Sequence, residues 1–256
     1  MLRPRIIPCL LVHNGGLVKT VLFKDPKYVG DPINAVRIFN EKEADELAVF
    51  DIDATANNAE PDFKMVARLA AECRMPLCYG GGVKTAEQAR RIIGLGVEKI
   101  AISSAAIETP DLISQTAGEI GAQSVVVVID ARLDPRTGQT TAWTRNGTLN
   151  SGRPVIDVAQ QAEALGAGEI VVNSIDRDGT MKGYDLALAK AVRRAVGLPI
   201  TLLGGAGSLA DIQALVAECG VVGAAVGSLF VFKGAYRAVL INYPAPQKKD
   251  ELFLSA

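Results

Sequence analysis

The chain has 256 residues, 49% of them hydrophobic, with 27 Lys plus Arg against 28 Asp plus Glu. That balance leaves no net field of either sign to draw in nucleic acid or an anionic membrane, so any phosphate binding has to be local. The longest apolar runs, such as Val125 to Ile129 and Gly223 to Val226, fall far short of the roughly 20 residues that span a bilayer.

Met1 to Pro4 lead into the first apolar run without the features of a secretory signal, so a cytoplasmic location is expected. From there, short apolar runs alternate with amphipathic stretches, the pattern of strands joined by crossover helices in a parallel sheet. Eight strands are predicted: Arg5 to Leu11, Glu46 to Asp51, Pro76 to Tyr79, Lys99 to Ile102, Ser124 to Asp130, Glu169 to Asn173, Ile200 to Leu203 and Val222 to Val226. Helices are predicted at Pro61 to Cys73, Thr85 to Leu95, Asp111 to Ile120, Asp157 to Leu165, Leu186 to Ala195 and Leu209 to Glu218. Residues 244–256, PAPQKKDELFLSA, are polar and punctuated by proline and read as a frayed tail.

Two motifs repeat at one spacing. Tyr79-Gly80-Gly81-Gly82 aligns with Leu203-Gly204-Gly205-Ala206, and Val97 to Ala106 aligns with Val221 to Phe230; Gly80 to Gly204 gives 204 − 80 = 124 residues, and the second pair has the same offset. Matching halves disfavour an open doubly wound sheet, which has edges and a switch point, and favour a closed (βα)8 TIM barrel in which the halves are equivalent. The expected organisation is a single barrel over residues 1–256, with half-barrels of about 1–120 and 121–243 and a tail over 244–256.

Active sites of such barrels lie at the C-terminal ends of the strands. Gly80, Gly81 and Gly82 follow the third strand, and Ser103 and Ser104 the fourth. Glycines let backbone N–H groups approach an anion, and hydroxyls and a helix start add donors, so these residues form a candidate phosphate cradle. Gly204, Gly205 and Gly207 after the seventh strand, with Gly227 and Ser228 after the eighth, form its twin. The pair suits a ligand with a phosphate at each end. Between them stand Asp51, Asp130, Asp176 and Asp178; each could equally be a helix cap or turn residue. His13 precedes the turn-forming Asn14-Gly15-Gly16 and reads as a solvated loop residue. Cys9, Cys73, Cys78 and Cys219 show no metal-ligand spacing and are expected as reduced thiols. No motif implies a metal or redox cofactor.

Taken in order, these residues resemble the HisF family, the cyclase subunits of imidazole glycerol phosphate synthase. The resemblance runs from Arg5-Ile6-Ile7-Pro8-Cys9-Leu10 through Gly80-Gly81-Gly82 and Asp176-Arg177-Asp178-Gly179-Thr180 to Gly204-Gly205-Ala206-Gly207. It implies a barrel that receives ammonia from a glutaminase at its N-terminal face and uses it on a bisphosphate at the opposite mouth. Asp130 matches one of the family's two acid/base aspartates and Lys19 an active-site lysine, and Gly179 falls among the matched phosphate-loop residues. The other aspartate's position holds Leu11, which can neither give nor accept a proton, and losing a positioned acid or base costs on the order of 10²- to 10⁴-fold in rate. Arg5, Glu46, Lys99 and Glu169 match the charged ring at the family's ammonia entrance.

A retained entrance beside a missing acid resembles the HisF-like branch tied to acetamidino modification of lipopolysaccharide and other surface glycans. That branch implies a HisH-like glutaminase and an N-acetyl sugar amidotransferase as partners. The alternatives are a working imidazole glycerol phosphate synthase cyclase with another carboxylate, Asp51 or Asp176, in the lost role, and a scaffold that regulates its glutaminase without passing ammonia.

Overall fold

The computed structural model describes residues 3–234 and 236–254; Met1, Leu2, Ser255 and Ala256 of the predicted ends lie outside them. Twelve strands are taken in chain order: β1 Arg5–His13, β2 Gly16–Val21, β3 Lys24–Gly30, β4 Leu47–Asp51, β5 Leu77–Gly80, β6 Lys99–Ile102, β7 Val125–Leu133, β8 Thr140–Thr144, β9 Leu149–Pro154, β10 Glu169–Ser174, β11 Ile200–Leu203 and β12 Gly223–Val226. Eight of them pair in parallel in the order β1-β4-β5-β6-β7-β10-β11-β12, and β12 pairs back onto β1 with Arg5 opposite Gly223. The sheet is therefore closed, an α/β TIM barrel with helices between the strands, and the open-sheet alternative is excluded.

Alternation along each strand sorts the apolar residues into two layers. On β1, Ile6, Leu10 and Val12 face the helices, while Ile7 and Cys9 join Ala48, Cys78, Ala101, Val126, Val171 and Ala225 inside the barrel. The outer layer takes the bulk: Leu47, Leu77 and Ile100 are completely covered, each worth roughly 1.5–3 kcal/mol of burial. The inner layer is built mostly of Ala, Cys and Val, with Leu11, Phe50 and Leu203 toward the mouth.

Helix starts follow from capping. Pro61 to Cys73 was predicted as one helix, but the observed helix is Phe63–Glu72, because the Asp62 carboxylate accepts from the Lys64 and Met65 amides at 3.0 Å and fixes the entry there. Thr85 caps Ala86–Ile93 in the same way, and Ser208 and Asp211 form a capping box at Leu209–Cys219.

Two hairpins, β2–β3 and β8–β9, rise over the mouth after the first strand of each half. They lengthen the strands that carry them, so Leu11 and Asp130 lie within β1 and β7 rather than at predicted strand ends. The tail also departs from expectation. Residues Pro246–Leu254 form a helix, Leu252 is buried, Lys249 pairs with Asp45 at 2.6 Å, and the Tyr243 hydroxyl donates to the Ile6 carbonyl at 2.9 Å. These contacts dock the tail where polar composition alone suggested fraying.

Candidate active site

At the N-terminal ends of the strands, four side chains form a closed ion network. Arg5 bonds to Glu46 and donates to Glu169 at 2.8 Å; Lys99 donates to Glu46 at 2.8 Å and to Glu169 at 2.9 Å. The Thr201 hydroxyl adds a bond to Glu169 at 2.6 Å. Both carboxylates are almost fully buried, and burial alone would raise the Glu169 carboxyl; Arg5 and Lys99 overcome it and hold that group below its usual range. Burial likewise works against the Lys99 ammonium, but Glu169 and Glu46 raise it.

The other end opens as a cavity of about 390 Å³. Leu11, Phe50, Val128 and Leu203 give it an apolar floor, with Phe23 of the β2–β3 turn on its wall. Leu11 lies opposite Phe50 in the β1–β4 register. In that floor Asp130 is 9% exposed, accepting from the Asn173 amide at 3.0 Å and the Ser103 hydroxyl at 3.3 Å. Burial outweighs both bonds and pushes its carboxyl up to about 7. It is therefore poised to hold or release a proton near neutrality. Asn173 Oδ1 is buried with no hydrogen-bond partner among the described residues.

Lys19 is 6% exposed and donates to the Cys9 carbonyl; burial lowers its ammonium. It sits beside Gly227, where a Cβ would come within 3.1 Å of Nζ. The remaining carboxylates carry structural duties. Asp51 lines the cavity but caps the next helix, accepting from the Asp53 and Ala54 amides at 2.9 and 3.2 Å. Asp178 accepts from the Thr20 hydroxyl at 2.7 Å and the Phe23 amide at 3.1 Å, which pins the β2–β3 turn to the rim. Asp176 accepts from the Leu133 amide at 2.9 Å and does not line the cavity. His13 is tied to Asp53 at 2.6 Å, also outside it.

The two glycine clusters differ. Gly81, Gly82, Ser103 and Ser104 all line the cavity, although Ser104 Oγ already accepts from the Arg145 amide at 2.9 Å. Gly81 is also demanded by packing: it has φ +133°, and a Cβ would fall 2.6 Å from Asp51. In the second half Gly179 and Ser228 reach the cavity, but Gly204 and Gly205 do not. Gly205 backs onto the loop after β10, where a Cβ would lie 2.2 Å from the Gly183 carbonyl.

Asn173, Phe50, Phe23 and Asn146 line the site without having been singled out from sequence. Asn173 alone left a trace, as the polar residue that closes the apolar run Ile170 to Val172.

The family model described as "Histidine biosynthesis protein" matches residues 5–237. A Leptospira borgpetersenii protein named, provisionally, as an imidazole glycerol phosphate synthase subunit HisF is 55% identical over 253 residues, 99% of this chain and 100% of that one. A Pseudomonas aeruginosa protein with a provisional name of the same kind is 52% identical over 250 residues, 98% and 99% of the two chains. The imidazole glycerol phosphate synthase subunit HisF of Lactococcus lactis subsp. cremoris is 41% identical over 230 residues, 90% and 89%. With that match and those identities, the chain belongs to the histidine biosynthesis protein family, among its HisF members.

Proposed function

We propose that this chain is the synthase subunit of a glutamine-dependent pair. A separate HisH-like glutaminase docks at the ring face, and ammonia crosses the barrel interior to a phosphorylated ligand held at the mouth. The observation that carries this reading is the saturated ring of Arg5, Glu46, Lys99 and Glu169 at one end of a small-residue interior whose other end opens into the cavity. Inward-facing buried charges are costly to keep, and these keep every partner. Gly81, Gly82 and Ser103 serve one phosphate; Lys19, Gly179, Gly227 and Ser228 serve the other, with Gly204 and Gly205 shaping the loop behind. Asp130 is the proton carrier, oriented by Asn173. The four free cysteines support a cytoplasmic setting, and no helix among the described residues is long and apolar enough to cross a membrane.

The names of the relatives favour cyclisation of the imidazole glycerol phosphate synthase type at this mouth. A second reading, favoured by Leu11, is that ammonia leaves the mouth for an N-acetyl sugar amidotransferase that makes acetamidino sugars for lipopolysaccharide or another surface glycan. Under the second reading Leu11 removes one of two proton carriers, and Asp51 and Asp176 are committed to the Asp53, Ala54 and Leu133 amides instead. Purified chain with ammonium and the bisphosphate formimino substrate separates the two. The second reading expects turnover roughly 10²-fold or more below that of Leu11→Asp; comparable turnover by the unaltered chain would refute it and leave the cyclase.

A further inference from the structure

We propose that the Phe50 ring is a valve between two chambers of the barrel, and that its movement sets when a small neutral molecule from the ring side reaches the mouth. This rests on the ammonia-conveying reading above. Below the mouth cavity lies a second cavity of about 20 Å³, with Glu46 and Glu169 of the ring at its base and Ala48, Cys78, Val126 and Ala225 among its walls. A space of 10–15 Å³ holds one water-sized molecule, so this chamber takes one ammonia. Phe50 lines both cavities, and among the described residues no other side chain does.

The position of Phe50 explains why its ring could partition the interior. It lies on β4 opposite Leu11 on β1, and both side chains pack on the inner cluster that contains Cys9, Ala48 and Ala101. Leu11, Val128 and Leu203 share this level, and among the described residues of the inner cluster the phenyl is the bulkiest group and the one that reaches both cavities. Leu11 gives the ring an apolar neighbour where a carboxylate would hold water. The walls above Glu46 and Glu169 offer little to solvate a cation, whereas a neutral molecule is not penalised there. The result is a chamber bounded by the ion ring at one end and by an apolar ring that rotates aside at the other.

Cys78 and Cys9 provide built-in reporters, since Cys78 lines the lower chamber and Cys9 the upper. The test treats the full chain with methyl methanethiosulfonate, a small neutral thiol reagent, and follows each cysteine by peptide mass mapping over time. In Phe50→Ala, Cys78 is expected to react roughly tenfold faster or more than in the unaltered chain, as when a local opening step is no longer required. Phe50→Leu is expected to fall between them, and Phe50→Trp to react no faster than the unaltered chain. Cys219, packed on a distant helix, serves as the monitor of general loosening. If its rate rises with that of Cys78 in Phe50→Ala, Phe50→Leu decides, because leucine keeps the bore mostly filled. Equal Cys78 rates in the unaltered chain and in whichever variant keeps Cys219 unchanged overturn the proposal. The measurement needs neither glutamine nor a glutaminase, so its failure counts against the valve alone. Loss of the ammonia reading would show separately, as glutamine nitrogen that never crosses the unaltered barrel.

Discussion

The two ends of this barrel solve opposite electrostatic problems. At the N-terminal end, two cations and two anions face inward and each finds partners, so the network is saturated. At the mouth, the polar groups in the floor are under-supplied. Asp130 has only neutral hydrogen-bond donors, Lys19 has one carbonyl, and Asn173 Oδ1 has no partner among the described residues. A saturated network resists change; an under-supplied one leaves polar groups that a ligand could complete. The difference teaches that burial of charge is not itself the mark of chemistry, and that the shortage of partners is the better guide.

The sharpest way to break this contrast is at the ring. Glu169→Ala leaves Arg5 and Lys99 competing for Glu46, and removing one member of a buried charge network costs about 3–5 kcal/mol. Denaturant unfolding should show a midpoint lowered accordingly; an unchanged midpoint would mean that the ring is solvated and the contrast false.

At the mouth the sign reverses. The Asp130 carboxyl is raised by burial from 3.8 to about 7, so the folded state holds its proton more tightly than the unfolded chain. Stability from this group is present below about pH 4, declines as the pH rises toward 7, and is lost above it. Asp130→Asn removes that loss. Its melting temperature relative to the unaltered chain should rise between about pH 4 and pH 7 and level off above, by on the order of 10 °C for a chain of this size. A flat difference across that range would show that Asp130 is ionised throughout.

The sequence made the barrel legible through the alternation of strands and through the repeat at 124 residues, because parallel strands buried on both faces must read as apolar runs. The hairpins were not legible. Their outer strands, Lys-Asp-Pro-Lys-Tyr-Val-Gly on β3 and Leu-Asn-Ser-Gly-Arg-Pro on β9, are largely exposed and carry no alternation to find. Asp51, Asp130 and Asp178 could be named from strand ends, yet sequence could not tell a carboxylate capping a helix or pinning a turn from one held nearly alone. That distinction depends on which amides the fold delivers. Asp51 receives two from the helix it starts, while Asp130 receives Asn173 from a neighbouring strand 43 residues away. The glycines were visible, but their division into cavity-lining and loop-packing members depends on the segment after β10, which no local pattern announces.

The central claim is that nitrogen enters at the ring and crosses the barrel. It is tested most directly with the complex purified from cells that make this chain, supplied with amide-¹⁵N glutamine, while the label reaching the mouth's acceptor is followed beside glutamine consumption. Conduction through the ring predicts that Lys99→Met leaves the complex assembled and glutamine hydrolysed but sharply reduces the labelled product, with free ¹⁵N-ammonium appearing in solution instead. Undiminished labelling of the acceptor in that variant, with the complex intact, would contradict it.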